Sequence, residues 1–308
     1  LKEELYMFYK LQIGIFIKSI FYWVYWKFKR LLFPILMIVY ILLDESSASN
    51  ELLNLSSNNL AVLTFGLLII GIPHGALDHL TEILSKKNTI NFKFIFYYLL
   101  MMVPIVLIWF WIPILGLVFF LIYSAWHFGQ TEINNWNIAS NAIAILWGTV
   151  LFSSLFLIHF EEFAKILLII KIKLPMVNFN YVLFGNLLLI FPFLTAIYYQ
   201  KVEWLIIVAF FLLSNNESLL LTFGLYFIFQ HSRIGWMHLK NKLKHTHLMM
   251  FKNALPFNIG AIFLYFTAIY YLDLDTEKSI AYFFIFLSAI SFPHVICMHF
   301  FYKKNFIK

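Results

Sequence analysis

Apolar residues occur in long runs that short polar stretches separate. About ten such runs can be delimited, near residues 31–43, 59–80, 93–112, 113–132, 138–159, 179–199, 203–213, 218–238, 253–272 and 279–302. A hydrocarbon core about 30 Å thick selects helices of about 20 apolar residues, whereas runs of about 10 to 14 do not span reliably. The pattern predicts an all-α polytopic transmembrane helical bundle with about 8–10 membrane segments. The two short runs, 31–43 and 203–213, are predicted to be re-entrant or peripheral.

The first thirty residues have a different pattern, in which basic and aromatic side chains alternate without a long apolar run. The basic residues there are Lys2, Lys10, Lys18, Lys27, Lys29 and Arg30. This mixture is typical of a helix that lies in the membrane interface. We therefore predict a basic interfacial segment over residues 1–30 and a single transmembrane catalytic domain over residues 31–308. No cleavable signal peptide is expected, because no small-residue cleavage site follows a compact apolar core.

Charged residues between the apolar runs predict the orientation of the bundle. Acidic Asp44, Glu45 and Glu51 mark an outer loop, and Lys86, Lys87 and Lys93 an inner one. Lys303, Lys304 and Lys308 mark an inner C-terminus. Because Lys and Arg concentrate on the cytoplasmic side, both termini are predicted to be cytoplasmic in a multi-pass inner (plasma) membrane protein. Residues 160–177 break the alternation with three lysines and are expected to form an amphipathic interfacial stretch.

Composition excludes several classes of protein. The chain is 62% hydrophobic and 12% charged, with a mean hydropathy of +0.84, whereas soluble domains carry about 25% charged residues. The net charge of +7 lies in loops and ends, where it acts as a topology signal rather than as a nucleic-acid surface. Cys297 is the single cysteine, so an intrachain disulfide or a thiolate cluster cannot form. A metal would need nitrogen and oxygen ligands.

Four of the ten histidines occupy matching positions in their segments. His74, His127, His231 and His294 each follow the predicted outer end of a helix by about 13 to 15 residues, which at about 1.5 Å per residue places them roughly 20 Å deep. Helices with the same heading can bring these imidazoles into one ring. Three or four imidazoles around an open coordination position suit catalytic iron, zinc, copper or nickel. The sequence thus predicts a metal or proton-handling site at this depth.

The other six histidines fall into two groups. Those at segment ends or in a basic loop are expected to be simply solvated, and they are His159, His245 and His247. The second group lies one to two turns nearer the inner surface than the ring, either supporting it or at the interface, and comprises His79, His238 and His299.

Two carboxylates lie close to ring histidines along the chain. Asp78 follows His74 by four residues and Glu132 follows His127 by five. Either carboxylate could orient an imidazole by accepting its second N–H. The alternative is that each merely caps a helix end.

At these residues the chain resembles the Brp/Blh family of microbial membrane β-carotene 15,15′-dioxygenases. The matching motifs are Pro-His-Gly-Ala-Leu-Asp-His at 73–79, Ser-Ala-Trp-His-Phe-Gly at 124–129, Gln-His-Ser at 230–232 followed by Arg233, and Phe-Pro-His at 292–294. The resemblance implies a non-haem iron(II), Fe(2+), enzyme that uses O₂ to split the central double bond of β-carotene into two all-trans-retinals. It also implies a functional link to a microbial rhodopsin.

The resemblance implies histidine ligands for the iron, which correspond here to His74, His127 and His231. Members of the family commonly carry a further histidine four residues after the one matching His231, but this chain has Gly235 there. The fourth ligand is therefore open between His294, which has the right depth, and His238, the next histidine along the chain, which the family pattern favours.

Two other functions compete with the dioxygenase. His-x4-His spacings at 74–79 and 294–299 also occur in membrane di-iron desaturases or hydroxylases, but those enzymes need adjacent histidine pairs and this chain has none. Intramembrane His, Asp and Glu also build proton or ion transporters. Transporter folds often contain paired repeats, and no internal symmetry is evident in this sequence.

Overall fold

The computed structural model describes residues 30–44, 55–83, 92–138, 140–175 and 177–305. These residues are 87% helical and contain no strand, which confirms the predicted all-α polytopic bundle. The predicted interfacial segment 1–30, apart from Arg30, lies outside the described residues, as do Glu45, Glu51, Lys86 and Lys87 of the orienting loops.

The helices of the described residues follow one another along the chain. In chain order they are α1 (Arg30–Leu43), α2 (57–75), α3 (Asp78–Ile83), α4 (Phe92–Trp111), α5 (Pro113–Asn135), α6 (Asn141–Ile158), α7 (Phe160–Ile169), α8 (Tyr181–Leu188), α9 (Ile190–Tyr198), α10 (Val202–Leu213), α11 (219–243), α12 (His247–Leu272) and α13 (Thr276–Asn305). Two of them, α2 and α11, contain a π-helical turn, at Leu67–Gly71 and Phe227–Ser232.

Seven helical stretches in the described part are long and apolar enough to cross a membrane. They are Ser57–Thr81, Phe92–Trp111, Pro113–Asn135, Asn141–Ile158, Tyr181–Tyr198, His247–Leu272 and Ala281–Lys303. The two runs predicted to be too short to span form the shorter apolar helices Arg30–Leu43 and Val202–Asn216. The stretch 160–177 forms α7 and a non-helical continuation, with Lys165 exposed and Ile166 and Leu167 buried. The chain is therefore a multi-pass membrane protein.

Helices α5 and α6 cross at backbone contact. A Cβ atom on Gly129 would lie 1.8 Å from the carbonyl oxygen of Ala144, and one on Gly148 would lie 1.7 Å from that of Ala125. Only glycine permits this approach, which is a common way for membrane helices to gain van der Waals contact. The crossing fixes the position of α5, the helix that carries both His127 and Glu132.

Candidate metal centre

Four helices each bring one buried imidazole to the same place in the bundle. His74 lies on α2, His127 on α5, His231 on α11 and His294 on α13. The ring centroids of His127 lie 4.9 Å from those of both His231 and His294, and the centroid of His74 lies 4.9 Å from that of His294 and 5.6 Å from that of His231. The four rings thus form a closed quadrilateral, which we call the histidine ring.

The two π-helical turns border this ring. His231 lies within the turn Phe227–Ser232, and His74 follows the turn Leu67–Gly71 after Pro73. A π turn inserts an extra residue into the helical repeat and so redirects the side chains beside it. Stacking then fixes the plane of His231, whose ring lies 3.7 Å from that of Phe128 at an angle of 9°.

Nitrogen atoms of the histidine ring are buried without hydrogen-bond partners among the described residues. These atoms are Nε2 of His74, both ring nitrogens of His127, Nδ1 of His231 and Nε2 of His294. One nitrogen each from His74, His127 and His231 lies within 4.8 Å of the other two. Buried polar atoms without partners are costly, and a bound cation would satisfy them. The donor set of neutral imidazoles fits a first-row transition metal such as iron.

Asp78, the first residue of α3, contacts His294 across the bundle rather than His74 on the preceding helix. Nδ1 of His294 lies 2.8 Å from Oδ1 and 3.0 Å from Oδ2 of Asp78. Because the carboxylate accepts, Nδ1 carries the proton and Nε2 keeps its lone pair. Nδ1 of His74 is instead hydrogen-bonded to the carbonyl oxygen of Gly71. Asp78 thereby links α3 to α13 at the ring.

Tyr98 completes this arrangement and was not anticipated from the sequence. Its hydroxyl lies 3.0 Å from Oδ2 of Asp78 and 3.2 Å from the carbonyl oxygen of Ile290, so it can donate to either. One tyrosine among 17 in the chain gives no sequence signal for this role. Only the packing of α4 against α13 reveals it.

Glu132 does not contact an imidazole in the described part of the chain. Its carboxylate accepts hydrogen bonds from Nε1 of Trp204 at 2.9 Å and from Nε2 of Gln230 at 3.2 Å. The predicted bond to His127 is absent because five residues rotate a helix by about 140° beyond a full turn, which points the two side chains apart. Glu132 instead reaches the ring indirectly, since Gln230 immediately precedes His231.

The remaining histidines lie outside the ring. His238 is about two turns beyond His231 on α11, and its Nδ1 hydrogen-bonds the hydroxyl of Tyr302 at 3.0 Å. The ring of His79 stacks on Phe257 at 4.4 Å and that of His299 lies 4.8 Å from Trp126.

The prediction that His159 is solvated was wrong. His159 is buried at the junction of α6 and α7, where it hydrogen-bonds the backbone of Glu217, and burial lowers its pKa to about 4. The segment after α10 covers it, which the pattern of a segment end could not show. His247 is exposed, as expected, and His245 is half-buried.

An apolar cavity adjoins the histidine ring. Its volume is about 400 Å³, and all four ring histidines line it. Phenylalanines form much of its remaining wall, including Phe94, Phe128, Phe152, Phe223 and Phe227. Position 235 lies against the ring as well, because a Cβ on Gly235 would come within 3.4 Å of Cδ2 of His74. The arrangement can hold a long apolar molecule directly beside a metal ion.

Comparison with known proteins gives a consistent result. Residues 65–302 match the family model described as beta-carotene 15,15'-dioxygenase. A beta-carotene 15,15'-dioxygenase of uncultured marine bacterium 66A03 is 26% identical over 260 residues, covering 77% of this chain and 91% of that relative. No solved structure matches the chain. The family match contains all four ring histidines, and the chain belongs to the beta-carotene 15,15'-dioxygenase family.

Proposed function

We propose that this protein is an iron-dependent membrane β-carotene 15,15′-dioxygenase that holds Fe(2+) with His74, His127, His231 and His294. The observation that carries the proposal is the convergence of four buried imidazoles, with unpartnered nitrogens, on an apolar cavity between membrane helices. Family membership supports the reaction. One β-carotene and one O₂ give two all-trans-retinals, so each oxygen atom ends in one aldehyde and no other reductant is needed.

The cavity wall would bind and place the substrate. β-Carotene has no group that can hydrogen-bond, so its binding rests on apolar contact. Its many similar double bonds can be distinguished only by where the molecule stops in the cavity. The phenylalanines beside the ring, such as Phe128 and Phe227, are positioned to hold the polyene there. When bound, iron(II) supplies the electron transfer through which O₂ reacts with a carbon–carbon double bond.

His294 is our choice for the fourth ligand over His238. Its Nε2 is buried and unpartnered while its Nδ1 is engaged by Asp78. His238 is outside the ring and bonds Tyr302. In this proposal Asp78 keeps the proton of His294 on Nδ1, and Tyr98 holds the Asp78 carboxylate in place.

Expression in a β-carotene-producing bacterium tests the function. Cells with the protein should lose colour and accumulate retinal, which chromatography of lipid extracts measures. A chain in which His127 is replaced by alanine should leave the carotenoid intact and serves as the control. Unchanged β-carotene in cells whose membranes contain the folded wild-type protein would contradict the proposal.

A further inference from the structure

The wall of the cavity between α4 and α12 reaches the outside of the bundle. Three residues that line the cavity there are also exposed on the surface of the described residues, with Leu99 46%, Phe263 69% and Leu264 43% exposed. Both helices are long and apolar enough to cross a membrane. The surface around this opening is therefore hydrocarbon rather than water.

Side-chain hydrogen bonds fix α12 on both sides of the opening. Nδ2 of Asn258 donates to the carbonyl oxygen of Leu68 on α2 at 2.9 Å. About two turns later, the hydroxyl of Tyr265 donates to the carbonyl oxygen of Ser279 on α13 at 2.8 Å. Residues 260–264 are the part of α12 that lies between these two hydrogen bonds and borders the opening.

Hydrogen bonds also hold α4, the opposite side of the opening, against α13. The hydroxyl of Tyr98 lies 3.2 Å from the carbonyl oxygen of Ile290, and Nε1 of Trp109 donates to Oγ of Ser288 at 2.9 Å. Because α4 and α12 are each hydrogen-bonded to other parts of the bundle, the fold itself maintains the gap between them.

Gly260 is the first residue of the segment 260–264. It is midway along the 26 residues of α12, so it lies near the middle of the membrane if that helix spans it. A Cβ at Gly260 would meet no atom within 4 Å, although the residue lines the cavity. The missing side chain thus leaves open space between the cavity and the lipid.

We propose that this gap is a lateral portal through which a long apolar polyene passes directly between the bilayer and the histidine ring, with Gly260 as the specificity-determining residue that sets its width. The identity of the polyene rests on the proposed function. A molecule that dissolves in lipid and not in water gains nothing from an aqueous channel. The portal joins the phase that contains the substrate to the cavity that contains the imidazoles.

Anaerobic binding of β-carotene tests the portal without any cleavage. The iron-loaded full chain in lipid vesicles is mixed with β-carotene, and the association rate is followed by quenching of tryptophan fluorescence. Gly260→Phe should slow association about tenfold, within the range that interface variants show. Gly260→Ala should slow it less. Ile259→Phe is the matched control, because Ile259 is 57% exposed and does not line the cavity, and its association rate should not change.

Phe263→Ala gives a change in the opposite direction. It removes an exposed side chain at the portal, so association should become faster while iron content and melting temperature stay at wild-type values. Equal rates for wild type, Gly260→Phe and Phe263→Ala would overturn the portal, as would equal slowing by Gly260→Phe and Ile259→Phe. Retinal formation in air is scored separately: binding through the portal without retinal contradicts only the proposed function, and retinal with unaltered binding by Gly260→Phe contradicts only the portal.

Discussion

His74 and His294 show how an acceptor at Nδ1 prepares a buried imidazole to bind a cation. The acceptor for His74 is a carbonyl oxygen one turn earlier, at Gly71, and the acceptor for His294 is the Asp78 carboxylate. In both rings the proton is held on Nδ1, so Nε2 carries a lone pair. Both Nε2 atoms are buried without a hydrogen-bond partner in the described part of the chain. A cation could therefore bind either Nε2 atom without any change of tautomer.

Alanine substitutions of the ring histidines should empty the site. His74→Ala, His127→Ala and His231→Ala are each expected to lower bound iron and to abolish retinal formation, because a site with fewer neutral ligands binds the metal weakly and in the wrong geometry. Iron per purified chain is measured by elemental analysis. His247→Ala, on the exposed surface, is the matched control and should retain both iron and activity.

The same assay distinguishes the two choices for the fourth ligand. His294→Ala should lose iron, whereas His238→Ala should keep it and lose only the contact with Tyr302. The opposite result would show that α11 distorts to bring His238 to the metal. In that case His238, and not His294, would be the fourth ligand.

Asp78→Asn should leave iron partly bound and cut its affinity or the cleavage rate by about 10- to 100-fold, as the loss of a carboxylate behind a ligating histidine typically does. The amide cannot accept the Nδ1 proton with the same strength, so His294 loses its fixed tautomer. Tyr98→Phe should have a smaller effect in the same direction. Iron titration monitored by ligand-field spectra measures both, and unchanged spectra for Asp78→Asn would show that the carboxylate has no part in holding the site.

Residue-scale features divide sharply into those that the sequence predicts and those that it cannot. Depth along a helix follows from counting residues, so the sequence predicts that His74, His127, His231 and His294 share one depth. The partner of Asp78 was not, because His294 lies 216 positions away and spacing carries no information across helices. Tyr98 and the pairing of Glu132 with Trp204 depend on helix rotation in the same way.

At the scale of elements, the crossing of α5 and α6 is the most demanding contact. Gly148→Leu should force the helices apart, because even its Cβ would overlap the carbonyl of Ala125. Overpacking typically costs about 1–3 kcal/mol, and occasionally more. We expect a lower melting temperature and lower iron content, since α5 carries His127. Gly260→Ala is the control, with nothing within 4 Å of the added Cβ; an equal loss of stability in both variants would contradict the backbone contact.

The π-helical turns are elements that sequence patterns do not predict. Their residues, Leu67–Gly71 and Phe227–Ser232, read as ordinary apolar helix, and no residue type marks the added position. The helices themselves were predictable, because lipid requires continuous apolar runs with internally satisfied backbones. The sequence therefore predicts which segments surround the site. The local rotation of α2 and α11 is seen only in the structure.

At the scale of the whole molecule, the loop charges give a testable orientation. We expect both termini on the cytoplasmic side, because Lys303, Lys304 and Lys308 cluster at the C-terminal end of the sequence and acidic residues follow α1 and α12. Reporter fusions at Lys308 should be active in the cytoplasm. A fusion after Asp273, in the loop that follows α12, is the control and should report the outer side. A reporter at Lys308 found outside would invert the proposed topology.

Stoichiometric cleavage by the purified protein tests the central claim most directly. Chain that has been stripped of metal, reloaded with iron(II) in lipid vesicles and exposed to O₂ should yield two retinals for each β-carotene consumed. The metal-free sample and the iron-treated His127→Ala variant should yield none. Intact β-carotene in the iron-loaded wild type, or equal retinal from the metal-free protein, would contradict the account of an iron dioxygenase built on the histidine ring.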